Sequence, residues 1–196
     1  MVFQYGTAVQ TLQDHGVEAK LIGDPAILQR PLLGMFCSQK CPGELILKAY
    51  DIAKQLREQG RVVVSGFHSP IEKDLLPILL RGDQPVVMCL ARDLESYRIS
   101  KNQKALIEKG LFLLVSPLFK QSQPRITLQT AKTRNALIVQ ICSQVLIIHA
   151  EPGGSVDQLC QKWVADQREV FALRGKANQH LFECGVKVWE SSNHLI

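Results

Sequence analysis

Short runs of uninterrupted apolar residues recur along the chain: LLGMF (32–36), VVV (62–64), PVVMCL (85–90), LFLLV (111–115) and VLII (145–148). Their length is that of strands. Because they lack polar alternation, both faces of each strand must be covered, as in a parallel sheet with helices on either side. The shorter EVFAL (169–173) continues the series. Helical patterns lie between the runs. Leu45, Ala49, Ile52, Ala53 and Leu56 fall on one stripe, with Lys48, Lys54, Arg57 and Glu58 facing away and Gly60 as the stop. The same reading predicts helices near 70–81, 102–109, 134–143 and 156–167. Alternation of this kind specifies an α/β fold with three layers: a Rossmann-like, doubly wound, mostly parallel sheet with right-handed crossovers.

That unit occupies residues 31–175. Residues 1–30 read differently: a helix-like TAVQTLQDHG (7–16) and then GDPAILQRP, an N-terminal appendage or the remnant of a helical domain. Residues 176–196 form a C-terminal extension expected to add a helix and the strand VKVW. A chain of 196 residues, 46% hydrophobic, buries about 70% of its unfolded surface and needs neither metal nor disulfide for stability. Cys37, Cys41, Cys89, Cys142, Cys160 and Cys184 are scattered, four of them in apolar segments. The C-x3-C pair at Cys37 and Cys41 lacks the further ligands of a structural zinc site, so no metal and no cofactor is expected. No apolar run reaches bilayer length and no charged-then-apolar leader opens the chain, which predicts a cytoplasmic protein with no membrane partner.

The formal charge of +5 is unevenly placed. From Arg98 to Arg134 eight basic residues (Arg98, Lys101, Lys104, Lys109, Lys120, Arg125, Lys132, Arg134) meet one acid, Glu108. The rest of the chain is slightly acidic. A local basic excess of this size attracts a polyanion, or forms an ordinary solvated face.

Two helix starts follow strand ends. Ser69-Pro70-Ile71-Glu72 is a capping box with proline at the first helical position, directly after VVVSGF. Ser155-Val156-Asp157-Gln158 reads as a second, preceded by Gly153-Gly154, whose backbone can approach a phosphate without a Cβ in the way. Open α/β sheets bind ligands at this edge, where free amides and helix dipoles favour anions. Glu72 and Asp157 oppose a highly charged ligand at either start, because their carboxylates share the same field. No G-x-G-x-x-G, no G-x4-G-K-[ST] and no G-x-S-x-G is present, which disfavours NAD, P-loop and serine-hydrolase chemistry. His68 and His149 stand at strand ends as pocket walls or general bases.

The order of these pieces resembles the Rossmann-like domain of the DNA-processing protein A (Smf) family, over about Leu32 to Gly175. Val64-Ser65-Gly66-Phe67 is similar to that family's Val-Ser-Gly-Phe/Leu, with Ile71-Glu72 where Ile-Asp is expected. Tyr97, Asn102, Leu106, Gly110 and Ser116 stand at matching places. Arg134-Asn135 resembles the Arg-Asn-Arg that opens a later helix, and Phe171-Ala172-Leu173-Arg174-Gly175 resembles Phe-Ala-Val-Pro-Gly. Departures are specific. The arginine of Gly-Ser-Arg is Gln39, Ala-Arg-Gly is replaced by His68-Ser69-Pro70, an acid by His149, and an aromatic by Ala131. Each lost arginine removes a charge-assisted donor worth about 1.5–3 kcal/mol.

The resemblance implies a non-catalytic, single-stranded DNA-binding protein of recombination and natural transformation, a recombinase as protein partner, and a homodimer. The expected phosphate-binding residues are Ser38, Gln39, Gly66, Phe67, His68, Ser69, Lys120, Arg125, Lys132, Arg134, Asn135, Gly153, Gly154 and Ser155, with Phe67 either stacking on a base or packing in the core. The alternative is a nucleotide-binding sensor, or a phosphoribohydrolase-like enzyme whose Pro-Gly-Gly turn is echoed by Pro152-Gly153-Gly154 but whose Gly-Thr and catalytic glutamate are missing. Its ligand is a mononucleotide.

Overall fold

The computed structural model describes residues 8–12 and 17–190. The outer parts of the expected helix at 7–16, and residues 191–196 of the C-terminal extension, lie outside the described residues. The apolar runs become strands β3 (Leu32–Cys37), β4 (Val62–Ser65), β5 (Val86–Cys89), β6 (Phe112–Pro117), β7 (Gln144–His149) and β8 (Val170–Ala172). A short β9 (Lys187–Val188) follows. Their crossovers are helices α1 (Gly43–Glu58), α2 (Pro70–Leu79), α3 (Lys101–Glu108), α4 (Leu128–Ile141) and α5 (Ser155–Ala165), and α6 (Gln179–Glu183) precedes β9.

Successive residues along a strand point to opposite faces, and each face has its own core. Leu32, Val64, Val87, Val115 and Ile147 pack with Leu137, Ile138 and Trp163 of α4 and α5. Leu33, Val63, Val86, Leu114 and Ile148 pack with Leu45, Ala49, Ala53 and Leu75 of α1 and α2. This double coverage is why the runs carry no polar alternation.

Two expectations are corrected. The helix predicted over 7–16 is absent from its described part: Ala8–Leu12 is strand β1, antiparallel to β2 (Val17–Ile22), which pairs antiparallel with β6. Ala19 and Leu21 are buried while Glu18 is exposed, a period of two that marks β2 as a half-buried strand. Pairing there covers the edge that β6 would otherwise expose. Helix α4 begins at Leu128, six residues before the predicted start at 134. Thr127 caps it through Thr130 in a reciprocal box, and its buried face begins with the polar Thr130 and Arg134, which hydrophobic periodicity does not register.

The sheet order is β1-β2-β6-β5-β4-β3-β7-β8-β9. The chain builds outward from β3 through β4, β5 and β6, then returns to add β7, β8 and β9 on the other side. All pairs from β6 to β9 in that order are parallel. The order therefore reverses between β3 and β7, and a crevice opens outside their carboxyl ends. No helix among the described residues is long and apolar enough to cross a membrane.

Beside that crevice a fully buried side chain ties the strands to the extension. Asn178 donates from Nδ2 to the carbonyls of Ile148 and Leu173, each at 2.9 Å, and its Oδ1 lies 2.9 Å from Nδ1 of His149. With Nδ2 committed to two carbonyls, Oδ1 is the acceptor and the imidazole donates from Nδ1. Asn178→Ala strands three polar groups in a sealed site. The expected loss is about 3 kcal/mol in urea unfolding; a loss under about 1 kcal/mol would show that water replaces the amide there.

Candidate nucleic-acid interface

A cleft of about 1160 Å³ opens at the β3/β7 switch point, between the starts of α2 and α5 and the outer face of α4. Its floor is stitched by Ser38, whose N–H donates to the carbonyl of His149 and whose Oγ accepts from the N–H of Glu151, both at 2.9 Å. The two strand ends are thus held side by side.

At the start of α2, Ser69 and Glu72 form the predicted capping box. Glu72 does more than cap. Its carboxylate accepts from the N–H groups of Cys37 (2.8 Å), His68 (2.8 Å) and Ser69 (3.3 Å), so one buried side chain fills the anion nest between β3, β4 and α2. Burial pushes its carboxyl above the usual range, while those donors and the Arg134 guanidinium hold it down. Arg134 is itself only 6% exposed and its pKa is lowered by burial. Its guanidinium fills the space beside Gly66: a Cβ there would lie 1.4 Å from Nη1. The glycine of Val-Ser-Gly-Phe is therefore required for arginine to enter. Arg134 Nε donates to Oδ1 of Asn135 at 2.7 Å.

The second turn is also self-satisfied. Ser155 does not cap α5; the N-cap is Gly154, because Gly153 adopts φ +72° and starts the helix one residue earlier. Asp157, buried, reaches back to accept from the N–H of Gly153 at 2.8 Å, and Gly154 N–H donates to the carbonyl of Glu151 at 2.8 Å. The amides of His68, Ser69, Gly153 and Gly154, expected to hold phosphate, thus make internal hydrogen bonds, and anion contact at these turns falls to side chains.

Phe67 has φ +44° and is 4% exposed, so its ring belongs to the core and presents no face to a base. Of the other expected residues, Ser38, Gln39, His68, Ser69, Lys132, Arg134, Asn135, Gly154 and Ser155 line the cleft. Gly66 lies behind it and Gly153 outside its lining. Lys120 and Arg125 are exposed on the loop from β6 to α4, which Asp93 pins through Ser122 and Gln123. Neither lines the cleft; Arg125 directly precedes Ile126, which does. His68 is held below its ordinary pKa by burial, then by Arg134, Lys73 and Arg92.

Lys40 and Lys162 also line the cleft. Both are isolated lysines without a motif, brought together only because β3 and β7 are neighbours. The start of α4 was legible as Thr127-x-x-Thr130, a box with threonine in place of glutamate. Apart from the buried Glu72 and Arg134, the formal charges of the lining are Lys40, Lys132 and Lys162 against Glu151. Not one acid occurs from Lys109 to Ala150. Among the described residues no group of three His, Cys, Asp or Glu side chains is placed to hold a metal ion.

The family model for DNA recombination-mediator protein A matches residues 3–196. The chain belongs to that family. The match takes in both the β1–β2 hairpin and the extension, beyond the Leu32–Gly175 span in which the motifs resemble it. No protein of curated function matches the chain in sequence. Among solved structures, DNA processing protein A from Streptococcus pneumoniae superposes with a TM-score of 0.76 at 19% identity, covering 95% of this chain and 72% of that one. DNA processing protein A from Helicobacter pylori, described by its single-stranded DNA binding mode, gives 0.77 at 18% identity over 97% and 94%. The molybdenum cofactor binding protein of Rippkaea orientalis is more distant, at 0.55 and 13% identity over 82% and 88%. These likenesses establish a shared Rossmann-like fold.

Removing Arg134 leaves a buried carboxylate without its counter-charge. Arg134→Met is expected to destabilise the fold near neutral pH, because the Glu72 carboxyl loses the positive charge that helps hold it down. Without the guanidinium the folded-state pKa of Glu72 rises further while the unfolded value is unchanged. The folded variant then keeps a proton that the unfolded chain releases, so its stability falls as pH rises through and beyond the ordinary carboxyl range. Urea unfolding should show the penalty growing as pH rises above the ordinary carboxyl range, and Glu72→Gln in the same chain should flatten it. A pH-independent penalty would rule out action through Glu72.

Proposed function

We propose that this chain is a cytoplasmic, non-catalytic member of its family that binds single-stranded DNA across the cleft, with its phosphates on Lys40, Lys132 and Lys162 and on the exposed Lys120 and Arg125 of the loop before α4. The carrying observation is the composition of the cleft wall. Lysines line the cleft at the switch point with Glu151 as the one opposing acidic residue besides the buried Glu72, which lies in the field of Arg134. Such a lining neutralises a phosphate chain without sequence readout.

The groups with chemical potential there are otherwise engaged, which supports the non-catalytic reading. Glu72 is held by three amides, Ser38 Oγ by the Glu151 N–H, and the Cys37 thiol is pushed far up by its hydrogen bond to Cys41 and by burial. The single-stranded DNA binding mode described for the Helicobacter pylori relative favours the same ligand. Homodimerisation and delivery of the strand to a recombinase complete the proposal. The second reading, a mononucleotide in the cleft, draws on its concavity and on its apolar wall of Phe36, Val156 and Leu159.

Anisotropy of a labelled oligonucleotide tests both. Binding is expected at low salt, with log Kd rising linearly against log salt. Lys40→Ala and Lys132→Ala should each reduce that slope by about 0.7. Absence of binding at low salt, or slopes untouched by both substitutions, would end the DNA reading. A mononucleotide that raises Tm while oligonucleotides leave it unchanged would move the conclusion to a nucleotide sensor.

A further inference from the structure

With Phe67 in the core, the bases of a bound strand need another surface. Large apolar side chains left in solvent are few among the described residues, and two of them line the cleft: Leu128 is 66% exposed and Ile126 39% exposed. Thr127 between them is extended, with φ −126° and ψ 168°, and in extended backbone the side chains at i and i+2 share a side. Leu128 opens α4, and Lys132 is one turn on along the same helix face. Apolar wall and cation are thus spaced about 6 Å apart at their Cβ atoms, along one element at the mouth of the cleft. Arg125 precedes Ile126 and is also exposed.

We propose that Ile126 and Leu128 form the surface on which the nucleobases of the strand pack, while Lys132 and Arg125 take its phosphates. The proposal rests on the single-stranded DNA reading above and assigns the base-contacting residues within it. Charge selects the occupant. The wall sits in the stretch from Lys109 to Ala150 that has no acid. A second copy packed symmetrically on this wall would set Arg125 and Lys132 against their own counterparts. A polyanion with flat apolar faces suits both the wall and its rim. Aliphatic side chains offer contact area and no hydrogen-bond readout, so the packing accepts any base.

The experiment uses the full chain with two labelled strands of equal length, an oligothymidylate and an abasic phosphodeoxyribose strand. Leu128→Ser and Ile126→Ser are each expected to weaken the oligothymidylate complex about five-fold, with the salt slope unchanged because no charge is removed. The abasic complex should be unaffected, and Leu128→Phe should tighten oligothymidylate binding alone. Both positions are exposed, Leu128 in the first turn and Ile126 just before the cap, and an unchanged Tm verifies that they tolerate these changes. Equal weakening on both strands overturns the proposal. So does unchanged oligothymidylate binding accompanied by a shift in self-association by sedimentation, which would make the wall a contact between copies. If the wild-type chain binds neither strand, the DNA reading itself falls; if it binds both and the variants do not discriminate, the base wall alone falls.

Discussion

Glu72 brings together the parts of the molecule on which the cleft depends. Its carboxylate accepts from the end of β3, from the turn after β4 and from the first residues of α2, and it faces the guanidinium that α4 delivers through the gap at Gly66. Burying a carboxylate is costly unless donors converge on it and a counter-charge is near. Here both conditions are met by groups from four separate elements. Few other arrangements of those elements would satisfy the charge, so the pair acts as a geometric constraint more than as a source of net stability.

The same arrangement decides how the site can meet an anion. Helix starts at the carboxyl edge of a parallel sheet normally offer backbone donors to a phosphate. In this chain Glu72 fills one nest, and Asp157 takes the Gly153 amide at the other. On the proposed reading, anion recognition shifts from backbone to side chains, onto the cleft-lining Lys40, Lys132 and Lys162. Side-chain lysines act as mobile point charges without a fixed fork, so they hold a flexible chain of phosphates in many registers and discriminate little between them. That property suits a strand bound without regard to sequence, and it fits a chain in which Gln39 stands where related sequences carry arginine.

What the sequence disclosed follows from what each kind of pattern measures. Apolar runs report burial on two faces, and they located β3 through β8 with both faces covered. Turn chemistry reports local hydrogen bonding, and it located the α2 start correctly because Ser69 and Glu72 satisfy each other within four residues. The patterns failed where a long-range contact overrode the local one. β2 is a strand because β6 needs an edge partner, and α4 begins early because Thr130 and Arg134 are buried for electrostatic and hydrogen-bonding reasons that hydropathy does not see. Phe67 sits at positive φ, a conformation with no marker in a non-glycine residue. Lys40 and Lys162, over a hundred positions apart, meet only through the strand order. The family motifs marked Arg134 as functional; the structure shows it 6% exposed, with its guanidinium beside Gly66, and Lys132 on the same helix lining the cleft.

Helix α4 carries these two residues on opposite faces. Arg134 turns inward to the ends of β3 and β4, while Leu128 and Lys132 stand outward along the cleft. Because a helix is stiff over a few turns, the outward residues are registered to the sheet by the inward one. The cleft cannot widen by tilting α4 without drawing Arg134 away from Glu72 and exposing a carboxylate whose donors would remain behind. A wall held this way is preorganised: a ligand meets it already in place, and the ordering cost of binding falls mainly on the ligand. For a flexible single strand that cost is large, and on the proposed reading a fixed wall with lysines along the cleft divides the work between rigid packing of the bases and adaptable neutralisation of the phosphates.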